Sequence, residues 1–403
     1  MTNAPVTNAR TDRFFNFPVT ILIFASFMLG MSEFVVVGIL PDIASGLKIS
    51  EVTVGNLVAL FAFVYAPCTP IGSALSARFP RFATYLILMG VFLVGNILCA
   101  LAPNYPVLLI ARLLIASVSG TLVAISMTFA PDVTTDKYRT KFIAWVFSGF
   151  SIASVVGVPI GTWVANTFGW RVTFYLVSVL TAVLMISMAL VLPRNSHPAK
   201  IGFLRQFRLF FDRRIQLGVL DVVCGAAASY VFYTYLSPIM RDEIGVPEQY
   251  LSIGLVIYGC ACLWSNLYGG KLADKGRGVE PLTHIRPIYC VQAVCLCLLA
   301  FASLVPAAGA LLLVLLGMLM YLQNSASQVL YMDVAYQSHP GSVNLAASLN
   351  SMSFNIGIAI GSAVGGLVND LLGLAWLGPV GAIFALFAAG ITTLLRPYIQ
   401  RGF

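Results

Sequence analysis

Twelve long apolar runs, almost free of charge, follow one another along this chain, and they leave it essentially one way to fold. A helix that crosses a bilayer needs about 20 predominantly apolar residues. Read from the N-terminus, the runs predict spans at roughly 18–40, 53–76, 82–102, 105–128, 141–165, 172–192, 215–238, 250–272, 284–305, 308–332, 345–368 and 373–396. Only 9% of the 403 residues are charged and 59% are apolar, whereas soluble domains carry about 25% charged residues. The longest polar stretches, 1–17 and 193–214, are loop-sized. A soluble enzyme on a single anchor is excluded, because too little polar chain remains to fold in water. The expected fold is an all-α membrane protein of twelve transmembrane helices. Its parts are a cytoplasmic tail (1–17), a six-helix half (18–192), a cytoplasmic central loop (193–214) and a second six-helix half with a short tail (215–403).

The net charge of +8 could suggest a polyanionic partner, but its distribution argues otherwise. With the N-terminus inside, 19 of the 23 Lys and Arg fall in cytoplasmic segments, and only Lys48, Arg171 and Arg241 fall outside. That asymmetry is the positive-inside pattern, so basicity reports topology and no nucleic-acid partner is expected. Both termini are placed in the cytoplasm. All eight cysteines fall within spans, where a free thiol behaves as a small hydrophobe. The one-residue spacing of Cys260/Cys262 and Cys295/Cys297 points the two side chains of each pair in different directions, so neither a disulfide nor a metal site is expected. A cleavable signal peptide has a short apolar region, whereas the first apolar run here is long, contains Glu33 and continues to Pro41-Asp42, which reads as a retained span.

Six spans precede the central loop and six follow it. Ser73-Ala-Leu-Ser-Ala-Arg78 after span two matches Gly270-Lys-Leu-Ala-Asp-Lys275 after span eight. Gly157-Val-Pro-Ile-Gly161 in span five has a counterpart in Gly361-Ser-Ala-Val-Gly365 in span eleven. Duplicated six-span halves with a site at their interface are a transporter architecture.

At these residues the sequence resembles the major facilitator superfamily over nearly its whole length. Within it, the chain looks like the bacterial drug/proton antiporter branch, with its sugar-efflux, nucleoside-efflux and chloramphenicol-resistance permeases. The similar stretches are Ser32 to Ala44 in span one, Val156 to Gly161 followed by Gly169 to Phe174, and Ala347 to Asn350 through Phe354 to Gly357 and Gly365-Gly366. The resemblance implies alternating access, an inner-membrane location in a bacterium, and a proton gradient as the energy source with no cofactor. In the superfamily's loop motif after span two an acid stands where this chain has Ala77, and Pro80 and Phe82 are further departures. Arg78 and Arg81 remain, and the second-half copy keeps Asp274. The resemblance therefore implies a cytoplasmic latch weakened on one side. The span-four motif keeps Arg112 but has Ile115 and Ala116 where the family has Gln and Gly.

Ionisable groups within a span cost roughly 2.5–3.5 kcal/mol at the helix centre on insertion scales, so they default to functional candidates. Glu33 and Arg112 each lie about seven residues below the outer ends of spans one and four, about 10 Å deep at 1.5 Å per residue, and so can face one another. A carboxylate in a cavity wall is pulled between desolvation and a nearby cation, which suits proton coupling; a permanent interhelical ion pair is the alternative. Asp221, about six residues into span seven, reads either as a second proton site or as a partner of Arg213 or Arg214 at the membrane edge. Asp42, Asp333 and Asp370 read as hydrated boundary acids.

Polar groups in lipid must be satisfied within the protein or a wet cavity. Tyr230 and Tyr233 of span seven, Gln323, Asn324 and Gln328 of span ten, and Asn355 of span eleven are therefore expected to line the pathway, with interhelical glue as the alternative. Their mix of aromatic and hydrogen-bonding groups suits a neutral, partly hydrophobic ligand. Gly157, Pro159 and Gly161 allow close helix approach and a kink; the resemblance places them where the halves meet. His197, His284 and His339 are expected in exposed loops. There is no phosphate-cradling loop ending in Lys and Ser/Thr, no catalytic triad and no zinc-ligand spacing. The expected function is a monomeric secondary transporter, not an enzyme, exporting a small drug, sugar or nucleoside-like molecule against protons. The alternatives are an uncoupled or uptake facilitator and a non-transporting membrane sensor.

Overall fold

The computed structural model describes residues 14–76, 78–135, 138–194, 207–274, 280–339 and 342–400, and every regular element among them is helical. Eleven helices are long and apolar enough to cross a membrane, and the shorter apolar helix Ile285–Leu299 brings the crossings to twelve. In chain order they are α1 (Phe17–Gly38), α2 (Glu51–Ser76), α3 (Arg81–Leu101), α4 (Tyr105–Thr128), α5 (Trp145–Phe168), α6 (Trp170–Val191), α7 (Arg213–Tyr233), α8 (Glu248–Asp274), α9 (Glu280–Leu299), α10 (Pro306–Ser338), α11 (Val343–Leu372) and α12 (Leu377–Gln400). The side chains of residues 273–274 and 280–284 lie outside what is described, as do Ala77 and His197; the expectations for Asp274, His284, Ala77 and His197 fall there.

Local chemistry sets the helix starts. Asn16 caps α1 by accepting from the Val19 N–H at 2.9 Å, Asn104 caps α4 through the Val107 N–H at 3.2 Å, and Asp212 caps α7 through the Arg214 N–H at 2.9 Å. Such caps satisfy backbone donors that have no partner inside the helix. Proline follows in the first turn of α1 and α4, where its missing N–H costs nothing. The duplication is visible in the backbone. Gly169 after α5 and Gly373 after α11 both adopt positive φ, 93° and 87°, at positions 204 residues apart, the same separation as the Gly157/Gly361 sequence match.

Prolines break the two helices that face each other across the halves. Pro41 has no N–H to give the Val37 carbonyl four residues back, and α1 ends at Gly38. The Ser237 hydroxyl, from the short helix after α7, reaches that carbonyl at 3.1 Å. Pro238 stands 197 residues after Pro41, beside the matching break after Tyr233. In α10 the helix opens at residues 320–323. There the Tyr321 N–H donates to Ser265 Oγ at 3.0 Å and Gln323 Nε2 donates to the Met320 carbonyl at 3.2 Å, so the freed backbone stays satisfied inside the protein.

The halves meet most extensively along α2 and α11, and again where α8 crosses α5. At that crossing residues 153–157 form a π-turn. A Cβ on Gly259 of α8 would stand 2.7 Å from the Ser154 carbonyl and the Val155 Cα, so only glycine allows this approach. Gly157 ends that π-turn, and a Cβ on Gly157 or Gly161 would meet Met31 or Val35 of α1, so the small residues there also admit close packing within the half. Pro159 is buried at the start of the following helical segment. The one-residue cysteine spacing does split the side chains: Cys262 is buried, and Cys260 faces outward with Cys290 and Cys297. His339 lies 3.5 Å from Asp212 rather than in open solvent.

Candidate functional site

Between the halves, Glu33, Phe34 and Val37 of α1, Val58 and Phe61 of α2, Arg112 of α4, Tyr230 of α7 and Ile358 of α11 enclose a small cavity. It has room for about one water molecule, so this conformation is closed around Glu33.

The Arg112 side chain is wholly buried. Its Nη1 donates to the Ser32 carbonyl at 2.5 Å and its Nη2 to the Glu33 carbonyl at 3.1 Å. The guanidinium lies 4.3 Å from the Phe61 ring centroid, a cation–π contact. The expected level match is present, but a Glu33–Arg112 side-chain ion pair is not. Guanidinium offers five donors in a rigid fork, and two of them are spent on the α1 backbone. Among the described residues no basic nitrogen comes within 4.0 Å of the Glu33 carboxyl. Glu33 is 8% exposed and borders the cavity. Behind it, Ser32 Oγ donates to Asn96 Oδ1 at 2.8 Å, extending the polar layer to α3.

The C-terminal wall is aromatic. Tyr230 packs edge-on against Tyr233 at 5.1 Å and Phe354 at 5.8 Å; Tyr233 stacks on Tyr258 and Tyr321 on Phe354. Further along, Asn350 donates to Asn324, and Asn355 Nδ2 donates to the Ser351 carbonyl at 3.1 Å. The side-chain oxygens of Gln323, Gln328, Asn350 and Asn355 are buried without a hydrogen-bond partner. Unpaired buried acceptors cost about 1–3 kcal/mol each, so four of them in one region mark polar capacity waiting for a donor. The structure thus brings Glu33, Arg112 and Tyr230 to one cavity, Tyr233 to its aromatic wall, and the four amides to the α10–α11 region.

Asp221 stands apart, on α7 facing α9 and α12. Of its two expected readings, the pairing with Arg213 or Arg214 is not formed: no basic nitrogen of either lies within 4.0 Å, and Arg214 binds Asp212 at 2.8 Å and Ser338. Arg81 pairs with Asp132 and donates to the Thr128 carbonyl within its own half, and Arg78 also has a bonding partner. Sequence reasoning missed Tyr65, whose hydroxyl meets Ser351 Oγ at 3.2 Å across the halves. Phe61 and Phe354 were missed too. A tyrosine just ahead of Pro67 and Pro70 in α2 was the available signal.

The end of the bundle far from the termini is sealed. Besides the Ser237–Val37 bond, Arg241 reaches across the halves to Glu51 at 2.9 Å, and Gly55 of α2 presses directly on Tyr235. Asp42 sits beside this seal. Burial, chiefly, raises its carboxyl from 3.8 to about 6; Glu248 adds to the rise, while a bond with its own backbone and Arg241 oppose it.

A raised carboxyl binds its proton more tightly in the folded chain than in the unfolded one. The stability it contributes is therefore complete below about pH 4 and is lost as pH rises through about 6. Melting of the protein in lipid nanodiscs across this window should show a decline with pH that Asp42→Asn flattens. Equal slopes in the two proteins would show that Asp42 titrates as in the unfolded chain.

Comparison with known proteins decides the family. The model of the Major Facilitator Superfamily matches residues 22–348. The chain belongs to the major facilitator superfamily. It is 31% identical over 376 residues to YtbD of Bacillus subtilis, described as an uncharacterized MFS-type transporter, covering 92% of this chain and 94% of the relative. It is 29% identical over 381 residues to the Escherichia coli K12 inner membrane transport protein YdhP, covering 94% and 95%. In fold it is similar to a bacterial homologue of the human lysosomal transporter Spinster, solved inward-facing and unoccupied, with TM-score 0.73, 16% identity and coverage of 96% and 98%. This major facilitator chain is a multi-pass membrane transporter, and the cavity holding Glu33 lies between its two halves.

Proposed function

We propose that this transporter exports a small, largely neutral organic molecule in exchange for protons. One observation carries the reading: Glu33 is a buried carboxyl at the wall of the inter-half cavity, with its nearest cation committed to the α1 backbone. A charge there is expensive, so the group is a natural place for a proton to enter and leave during the cycle. A permanent ion pair would have argued the reverse. The four unpaired amide oxygens beside an aromatic wall favour a ligand that donates hydrogen bonds and stacks, such as a sugar, a nucleoside or an amphenicol-type drug.

Alternating access requires the halves to separate at each end in turn, with each ligand biasing the equilibrium through differential affinity. Opening the far end must break the Ser237–Val37 and Arg241–Glu51 contacts. The positive-inside pattern puts the termini in the cytoplasm, which makes the far end the outer one, and one chain holds the whole path. Purified protein in proteoliposomes carrying a pH-sensitive dye, challenged in turn with chloramphenicol, arabinose and purine nucleosides under an imposed pH gradient, tests this. Substrate-dependent proton movement is the expected result. Substrate movement indifferent to the gradient would make the chain a facilitator, and binding without movement would make it a sensor.

A further inference from the structure

Asp221 is only 2% exposed, lies away from the cavity that holds Glu33, and has no basic nitrogen within 4.0 Å among the described residues. Its one short contact is Oδ1 to Thr392 Oγ1 of α12, at 2.7 Å. The Tyr289 hydroxyl of α9 stands 3.3 Å from Oδ2, longer than a typical O–H···O bond of about 2.5–3.0 Å.

The hydrogens must be counted. Thr392 Oγ1 also lies 2.9 Å from the Ala388 carbonyl one turn back, and a hydroxyl has a single hydrogen to give. If it goes to Ala388, the 2.7 Å contact with Asp221 joins two oxygens with no hydrogen between them unless Asp221 supplies one. If it goes to Asp221, a full carboxylate charge is left in the bundle with one short bond and no cation, a costly arrangement. A protonated Asp221 resolves both difficulties. Its Oδ1–H donates to Thr392 Oγ1, Thr392 donates to the Ala388 carbonyl, and Tyr289 gives its hydrogen to Oδ2. Every donor then has one acceptor and no charge is buried.

Among the described residues the surroundings offer no other compensation. The titratable groups facing Asp221 are Cys224 on its own helix, Tyr289 on α9 and Tyr331 on α10. From α11, Gly357 and Gly361 press on the α7 backbone at Val223, Ala226 and Ala227. None of these is a cation.

We infer that Asp221 is a proton-binding site of the C-terminal half, occupied in this conformation, with Thr392 as the acceptor that holds the proton. It is a second site, off the substrate path, and it does not depend on the role of Glu33. Infrared absorption of the full-length protein in lipid nanodiscs at neutral pH tests it through the carboxylic-acid C=O stretch. Asp221→Asn should remove one component of that band, Thr392→Val should move the same component to higher frequency because the acid loses its acceptor, and Glu33→Gln should leave it in place. A band identical in wild type and Asp221→Asn overturns the inference, as does a component that Thr392→Val leaves unmoved. Should Asp221→Asn fail to fold, the Thr392→Val shift decides alone. Any separate component lost in Glu33→Gln reports on the cavity carboxyl and not on this site.

Discussion

Glu33→Gln should reduce substrate-driven proton movement in proteoliposomes to the level of empty vesicles while leaving the protein folded and able to bind substrate. Glutamine keeps the shape and hydrogen-bonding reach of a protonated glutamic acid but can never release a proton. The wild-type carboxyl borders the cavity with its nearest cation, Arg112, committed to the Ser32 and Glu33 carbonyls. Ionising it without compensation would cost on the order of 2.5–3.5 kcal/mol on insertion scales. Since about 1.4 kcal/mol is a factor of ten in an equilibrium, ionisation at this one position can shift the balance between conformations by roughly 60- to 300-fold. That is enough to couple proton and substrate. The glutamine variant is locked on the neutral side of this switch, so its melting temperature should equal or exceed that of wild type. Proton movement that survives the substitution would place the carrier elsewhere. Substrate flux unchanged together with absent proton flux in both proteins would favour a facilitator.

How much of this was legible beforehand follows from which signals are local. The twelve spans and the duplication are one-dimensional patterns, and the helix bounds follow them to within six residues. Glu33, Arg112 and Asp221 were legible for the same reason: a charge inside an apolar run is visible without a fold. What those charges bind was not legible. Nothing in the spacing of Arg112 says that its fork is spent on the Ser32 and Glu33 carbonyls, because a backbone acceptor leaves no trace in side-chain identity. Likewise Asp221 passes over its sequence neighbour Arg214 for Thr392, 171 residues away, and Tyr65 finds Ser351 at a separation of 286. The polar run 321–328 announced that span ten is unusual, but the backbone opening at 320–323 depends on Ser265 of α8 being in place to receive it. The Pro41/Pro238 pair was in plain view. Its meaning, a carbonyl orphaned in one half and satisfied by a serine of the other, needed the two halves brought together.

Arg112→Lys should fail nearly as badly as Arg112→Ala, although it keeps the charge. The two bonds to the α1 carbonyls and the flat contact with Phe61 are made by a planar fork, and a lysine ammonium is a point charge that cannot span both carbonyls while lying on a ring face. Each hydrogen bond to a charged group is worth about 1.5–3 kcal/mol. Losing one in the lysine variant should lower thermal stability by about that amount and transport by tenfold or more, if the bond is made in only one conformation. The alanine variant loses both bonds, worth about 3–6 kcal/mol together on that scale, and with them the cation–π contact and the side-chain volume. The lysine variant separates two roles for Arg112. If the residue acts mainly as a cation beside Glu33, lysine preserves both the transport rate and the pH dependence of wild type. If it acts by fixing the α1 backbone that carries Glu33, lysine retains substrate binding but loses transport rate, and Glu33→Gln in the same background adds nothing further. The hydrogen bonds favour the second outcome, because all the donors the structure assigns from this guanidinium go to the backbone of α1 and none to the carboxylate.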